Sequence, residues 1–243
     1  MITLFQPKPM FGLPNASPYC LKLEAFLRWQ DIPFTIQEGL PFQGPFNKVP
    51  FVDYNGERLG DSSLIIDRLI QDKNIRYPEG LDMSIGHAFQ RLTEDHLYWA
   101  MVYFRWMDNR AWPILRDAFF GQIPFPVRPF IVSKARKQAR NALYGQGLGR
   151  LPESFILERA RVDLSALSQR LTAQPFVCGQ HMTHYDCSIW AVLSQLVNCE
   201  LKIQLTDVAA EFPNLKLYVE RVSAQLGTQW ASTDRSQGAF VAA

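Results

Sequence analysis

The sequence predicts two units of different class, an α/β N-terminal domain on a small mixed sheet and an all-α C-terminal domain. Three observations carry that. Strand and helix signals alternate as far as about Tyr77, and strand signals stop beyond it. The 243 residues are 47% hydrophobic and 20% charged, which suits one large or two small packed domains. Aromatic residues make up 13%, which excludes a disordered chain and points to thick helical packing or a large apolar pocket.

The elements follow in order. Residues 2–5 are a short apolar run ahead of Pro7 and Pro9 and read as a strand. After a loop at 11–16, Ser17-Pro18 has the form of an N-cap with proline at the first helical position. The helix runs to about residue 30, with Leu23, Phe26 and Leu27 on one face. Residues 33–36 make a second strand, and 39–47 a Gly/Pro-rich connector. Residues 48–54 make a third strand with a proline inside it, and Asn55-Gly56 is a strong hairpin signal leading through Glu57-Arg58-Leu59 into a fourth. Asp61-Ser62 opens a helix carrying Leu64, Ile65, Ile66, Leu69 and Ile70. Residues 85–115 form one long aromatic-rich helical pattern, followed by two more at 129–143 and 153–171. Residues 187–197 are apolar almost all round, as a central buried helix is. Phe212-Pro213-Asn214 introduces a last helix to about residue 226, and the small polar tail from Ser232 frays. The division falls near Tyr77, giving domains 1–76 and 82–243.

Several function classes drop out. A formal net charge of +2 is too small for a dedicated nucleic-acid binder. No basic stretch leads into an apolar core at the N-terminus, so no signal peptide is read there. The longest unbroken apolar run, 98–104, is too short to span a bilayer, and no membrane partner is expected. Cys20, Cys178, Cys187 and Cys199 form no C-x-x-C pair and no disulfide framework, so a reducing cytoplasm is the expected location. His181 and His184 lie three apart with no matching pair elsewhere, and no metal site is expected.

Local motifs carry the chemistry. Ser17-Pro18-Tyr19-Cys20 looks like the C-P-Y-C site of thiol oxidoreductases with serine in the first position, at a helix terminus whose free N–H groups favour a thiolate. Val49-Pro50 at the third strand and Asp61-Ser62 at a helix start complete the set. The strand–helix order is thioredoxin-like. An α/β thioredoxin-like N-terminal domain followed by an all-α C-terminal domain resembles the glutathione S-transferase fold. The resemblance implies that the Ser17 hydroxyl donates to the glutathione sulfur, where the plain alternative is an N-cap alone. It implies a cis bond at Pro50, with Val49 offering its backbone to the cysteinyl part, against a trans-proline on an edge strand. It implies that Ser62 and its helix terminus hold the γ-glutamyl carboxylate while Asp61 takes the ammonium, with Ser63 a near-equal alternative. Cys20 is expected to face the core as a small hydrophobe.

The resemblance extends over nearly the whole chain. Thr183-His184-Tyr185-Asp186 has the form of a capping box, flanked by Met182 and Cys187 as a hydrophobic staple. Thr183 and Asp186 therefore read as structural. Gly145-Gln146-Gly147-Leu148-Gly149-Arg150, then Arg161-Val162-Asp163-Leu164, then Pro175-Phe176-Val177-Cys178-Gly179, is similar to the Fax/metaxin-like branch of that family, as is the aromatic run from Leu97 to Trp106. The glycines alone make a poor phosphate loop, lacking a Gly-Lys-Ser/Thr ending. By resemblance one face of the long helix borders the electrophile site, and Tyr103 and Trp106 share a face. Arg105 and Arg110 read as interdomain or dimer contacts. The stretch 118–152 carries Arg128, Lys134, Arg136, Lys137, Arg140 and Arg150 and no acid. It reads as a solvated face or as an attractor of an anionic ligand or acidic partner.

The resemblance implies a homodimer that conjugates glutathione, as co-substrate, to a small apolar electrophile. The alternative is a non-catalytic binding module of the same fold. Metaxins act in mitochondrial import with a membrane-anchoring tail, and the ending Ala-Phe-Val-Ala-Ala is too short to anchor. A glutaredoxin-like thiol transferase using Cys20 ranks third, because serine holds the thiolate position.

Overall fold

The computed structural model describes residues 1–227, so the expectations for the tail from Ser232 lie outside the described residues. Four strands form one mixed sheet: β1 (Ile2–Gln6), β2 (Phe34–Glu38), β3 (Phe51–Tyr54) and β4 (Glu57–Gly60), in the order β2-β1-β3-β4. β1 pairs with β2 in parallel and with β3 antiparallel, and β3 pairs antiparallel with β4. The parallel pair needs a crossover, which α1 (Pro18–Trp29) supplies. The antiparallel β3–β4 pair needs only a two-residue turn. Asn55 and Gly56 provide it with φ of 52° and 81°, the backbone that a primed hairpin turn demands. Along β1, Ile2, Leu4 and Gln6 are buried and Thr3 and Phe5 half-buried, a period-two pattern. The third strand begins at Phe51, not at residue 48, because Pro50 has no N–H to give the ladder.

α2 (Ser62–Asp72) closes the N-terminal part, and every later element is helical. The single helix expected over 85–115 is instead three pieces. α3 (Met83–Leu92) passes through a wide π turn at Thr93–Leu97 into α4 (Tyr98–Trp106), and α5 (Trp112–Phe120) starts afresh. The Thr93 hydroxyl donates to the carbonyls of Phe89 and Gln90, both at 2.9 Å, competing with the regular ladder there. After Trp106, the Asp108 carboxylate accepts the Arg110 N–H at 2.9 Å and turns the chain. Pro113, which is tolerated in a first turn and not inside a helix, then sits at the start of α5. α6 (Arg128–Gln146), α7 (Glu153–Ala173), α8 (His184–Val197) and α10 (Pro213–Gln225) follow the sequence pattern within a few residues. The short α9 (Gln204–Ala210) gave no periodic signal long enough to read.

α8 is the axis of the molecule. All its residues from Asp186 to Leu196 are buried, and it packs against α1, α3, α9 and α10. Gly86 permits the close seating of α3 on it, since a Cβ there would lie 2.4 Å from the Tyr185 ring. The α8 terminus is built as the sequence indicates, around the acid. Asp186 is fully buried and accepts the N–H of Thr183 (2.9 Å), the N–H of Val177 (2.8 Å), the Thr183 hydroxyl (3.0 Å) and the Tyr218 hydroxyl (2.9 Å). The sheet domain and the helical domain thus meet along α1 and α8, and the N-terminus of α1 emerges beside that seam.

Candidate functional site

Ser17 is the N-cap of α1, with extended backbone, and Pro18 opens the helix. Its hydroxyl accepts from the Cys20 N–H at 3.5 Å, a weak cap, and lies against the Cys20 thiol. Ser17 itself is half-buried. One turn on, Cys20 is fully buried, and desolvation pushes its thiol up to about 12, so it stays protonated and unreactive at neutral pH. That argues against the disulfide-exchange reading.

The loop carrying Ser17 is held by residues that the sequence pattern did not mark. Asn15 is fully buried. Its side-chain oxygen accepts the Ser17 N–H at 2.9 Å, and its amide donates to the Pro7 carbonyl at 2.7 Å. From the helical domain, Gln195 on α8 donates to the Asn15 carbonyl at 2.9 Å. Arg105 on α4, 4% exposed, donates to the Ala16 carbonyl at 3.2 Å and to the Gln195 side-chain oxygen at 2.8 Å. Arg105 is therefore an interdomain residue. Arg110 is not: it is exposed and pairs with its neighbour Asp108 at 2.9 Å.

The Val49–Pro50 bond is cis, with Pro50 buried and Val49 half-buried. Asp61 has φ 69° and ψ 121°, a backbone that non-glycine residues rarely adopt and that is found concentrated at ligand clamps. Its carboxylate oxygen Oδ1 caps α2, accepting the N–H of Ser63 (2.9 Å) and of Leu64 (3.2 Å). Ser62 is buried, while the Ser63 hydroxyl accepts from the Lys22 ammonium at 2.6 Å. Lys22 is a second residue that pattern reading passes over. It lies in mid-helix, 1% exposed, and its ammonium also pairs with Glu94 at 2.7 Å. Glu94 in turn accepts from Arg91 (2.5 Å) and Gln90 (3.3 Å), and Gln90 donates to Ser188 at 2.9 Å. The network joins α1, α2, the π turn and α8. A lysine flanked by Leu21 and Leu23 on an otherwise buried helix was its only sequence signal.

An aromatic wall reaches from the loop before Ser17 into the helical domain. Phe11 meets Phe119 at 6.3 Å between ring centroids, Phe119 meets Trp106 at 6.1 Å, and Trp106 meets Trp112 at 5.5 Å. Trp106 is in that wall. Tyr103 stands apart from it, with its ring edge-on to Phe104 at 5.3 Å. Burial, then the neighbouring charges of Glu153 and Asp108, push the Tyr103 hydroxyl upward. Of the pair His181 and His184, His184 shares a 2.8 Å hydrogen bond with Tyr77, and burial holds its ring near 4 and hence neutral. No cluster of metal-ligating side chains occurs among the described residues.

A thioredoxin-like sheet thus carries a hydroxyl at the N-terminus of its first helix, a cis-proline before its third strand and a positive-φ cap before its second helix. Residues 18–111 match the glutathione S-transferase N-terminal domain and residues 160–222 the glutathione S-transferase C-terminal domain. The chain is 30% identical to the isoprene-epoxide–glutathione S-transferase of Rhodococcus sp. (strain AD45), over 93% of this chain and 99% of that one. It is 30% identical to Failed axon connections of Drosophila melanogaster, over 95% of this chain and 59% of that longer protein. It is 22% identical to Metaxin-2 of Mus musculus over 86% of this chain and 82% of that one. Among solved structures, a glutathione S-transferase III in apo form has a TM-score of 0.62 at 16% identity, covering 98% of this chain and 99% of that one. The chain belongs to the glutathione S-transferase family, in its Fax/metaxin-like branch.

Proposed function

We propose that this protein binds glutathione as a thiolate and conjugates it to a small apolar electrophile. The observation that carries the reading is the Ser17 hydroxyl, a weak cap at the N-terminus of α1 held there from both domains. Helix N–H groups and a hydroxyl donor stabilise a thiolate and lower its pKa, which raises the fraction of nucleophile at neutral pH. Val49 at the cis bond would take the cysteinyl backbone, and Asp61 and Ser62 the γ-glutamyl end. An apolar electrophile would lie on the wall that includes Trp106, with Tyr103, which stands apart from that wall, the weaker candidate for contact, and gains rate by proximity. The similarity to an isoprene-epoxide transferase supports an epoxide as the first electrophile to try. The same proposal includes a homodimer in the reducing cytoplasm, with the ligand-binding domain at 1–76 and the helical domain at 82–243.

The test is titration calorimetry with glutathione, followed by conjugation of a small epoxide by wild type and Ser17→Ala. Saturable binding with turnover that falls in the variant and shifts to higher pH supports the reading. Full turnover in Ser17→Ala with an unchanged pH profile rejects it.

A second reading is a non-catalytic glutathione-transferase-like module, favoured by the similarity to Failed axon connections and Metaxin-2. A family fold does not by itself bring activity. Thermal stability unaffected by millimolar glutathione would favour this reading.

A further inference from the structure

The buried Lys22 has no part in the reading above, yet it reaches one end of the proposed site. A lysine almost wholly out of water is costly, and pairing it with Glu94 offsets that cost without a large net gain in stability. Its ammonium also donates to the Ser63 hydroxyl at 2.6 Å. An ammonium only donates, so it occupies a lone pair of that hydroxyl and leaves the O–H proton to point elsewhere. Ser63 is half-buried, whereas Ser62 beside it is 3% exposed and has little surface to offer a ligand. Asp61 takes the N–H groups of Ser63 and Leu64 with one oxygen, Oδ1. Glu94 is shared between two cations, Oε1 with Lys22 at 2.7 Å and Oε2 with Arg91 at 2.5 Å. The charge of Lys22 is felt beyond the pair: after burial, it is the further cause that keeps the His184 ring neutral.

We infer that Ser63, positioned and polarised by Lys22, supplies the hydroxyl that holds the γ-glutamyl carboxylate. The inference rests on the glutathione reading and deepens it at that end of the ligand. A hydroxyl that accepts from a cation is a stronger donor, and its bond to a carboxylate is charge-assisted. The ammonium behind it favours an anion at that place, in a part of the fold where water screens little. Lys22 is a positioning residue, acting on the ligand through Ser63. Ser62 then contributes its main chain, and Asp61 keeps its second oxygen for the γ-glutamyl ammonium. A ligand without the carboxylate gains nothing from Ser63 or from Lys22.

The experiment is titration calorimetry with glutathione and with 4-aminobutyryl-cysteinyl-glycine, the same tripeptide lacking the α-carboxylate of its first residue. Wild type is expected to prefer glutathione by about tenfold or more, as one hydrogen bond to a charged group provides. Ser63→Ala should remove most of that preference and leave affinity for the shortened tripeptide unchanged, a pattern that no loss of structure imitates. Lys22→Met/Glu94→Leu, which removes both halves of the buried pair, should reduce the preference too. Adding Ser63→Ala to it should take away no more than Ser63→Ala does alone, because the lysine acts through that hydroxyl. Equal wild-type affinity for the two tripeptides, an undiminished preference in Ser63→Ala, or a Lys22→Met/Glu94→Leu variant weakened equally toward both would each overturn the inference and leave the glutathione reading in place. A wild type that binds neither tripeptide would overturn that reading and the inference with it.

Discussion

At Ser17 the magnitudes separate the proposed catalytic part from the structural one. A normal N-cap serine is worth about 1 kcal/mol, and one whose hydrogen bond is 3.5 Å long belongs at the low end, about 0.5 kcal/mol. A lost donor to a developing anion costs on the order of 10²-fold in rate. Ser17→Ala is therefore expected to leave the urea midpoint nearly unchanged while kcat/KM for epoxide conjugation drops about 10²-fold. Another single residue carries a pH signature. His96, in the π turn, pairs with Asp163 on α7, and that hydrogen bond raises its pKa above the ordinary 6.5. A raised folded-state pKa stabilises the fold fully below the unfolded value and loses that stabilisation as pH rises through the folded value. The gap in Tm between wild type and His96→Gln should thus be larger at pH 6 than at pH 9. A gap independent of pH would remove the ion pair from the account. Ser17, Val49-Pro50 and Asp61-Ser62 were legible because each is a local motif. Lys22, Arg105 and Gln195 were not, because their partners lie 41 to 180 residues away in sequence and only the fold brings them within reach.

Helix ends and helix breaks differ in the same way. The start of α8 was legible from Thr183 to Asp186, since a capping box is a four-residue event. What those four residues do not contain is Val177 or Tyr218, which convert a cap into a buried cluster of donors around one carboxylate. A cap alone is worth about 1 kcal/mol, whereas stripping the acceptor from several buried donors costs about 1–3 kcal/mol for each one left unpaired. Asp186→Ala should accordingly lower stability by about 3–5 kcal/mol in urea titration, well beyond a cap's worth. A loss near 1 kcal/mol would mean that Val177 and Tyr218 find other partners. The breaks at Thr93–Leu97 and Met107–Ala111 were missed for the opposite reason. Apolar spacing continues through them, and the side-chain hydrogen bonds of Thr93 and Asp108 decide locally against the period.

Across the whole molecule, the two domains are joined by polar contacts set in an apolar seam. The Lys22–Glu94 pair is almost wholly buried on both sides and spans α1 and the π turn. Two opposing terms act on it. Desolvating two charges costs several kcal/mol, and their attraction, with the bond Lys22 donates to Ser63 and those Glu94 accepts from Gln90 and Arg91, offsets much of that. The sign for the pair as a whole is then close to zero, while the sign for either half alone is strongly unfavourable. Lys22→Met should cost about 3–5 kcal/mol, because Glu94 keeps only the half-exposed Arg91 as cation. Glu94→Leu should cost a similar amount by leaving the Lys22 ammonium with Ser63 alone. The double variant Lys22→Met/Glu94→Leu should recover most of either loss, giving a coupling energy in a urea double-mutant cycle that exceeds either single loss. Such recovery would show that the pair sets how the domains dock more than how tightly. Because Ser63 adjoins the cap at Asp61-Ser62, and Arg105 and Gln195 hold the Ser17 loop, docking and site geometry are one problem. The double variant is therefore expected to be stable yet weakened in glutathione affinity. Additive losses in the two single variants would instead make the pair an ordinary stabilising contact and uncouple the seam from the site.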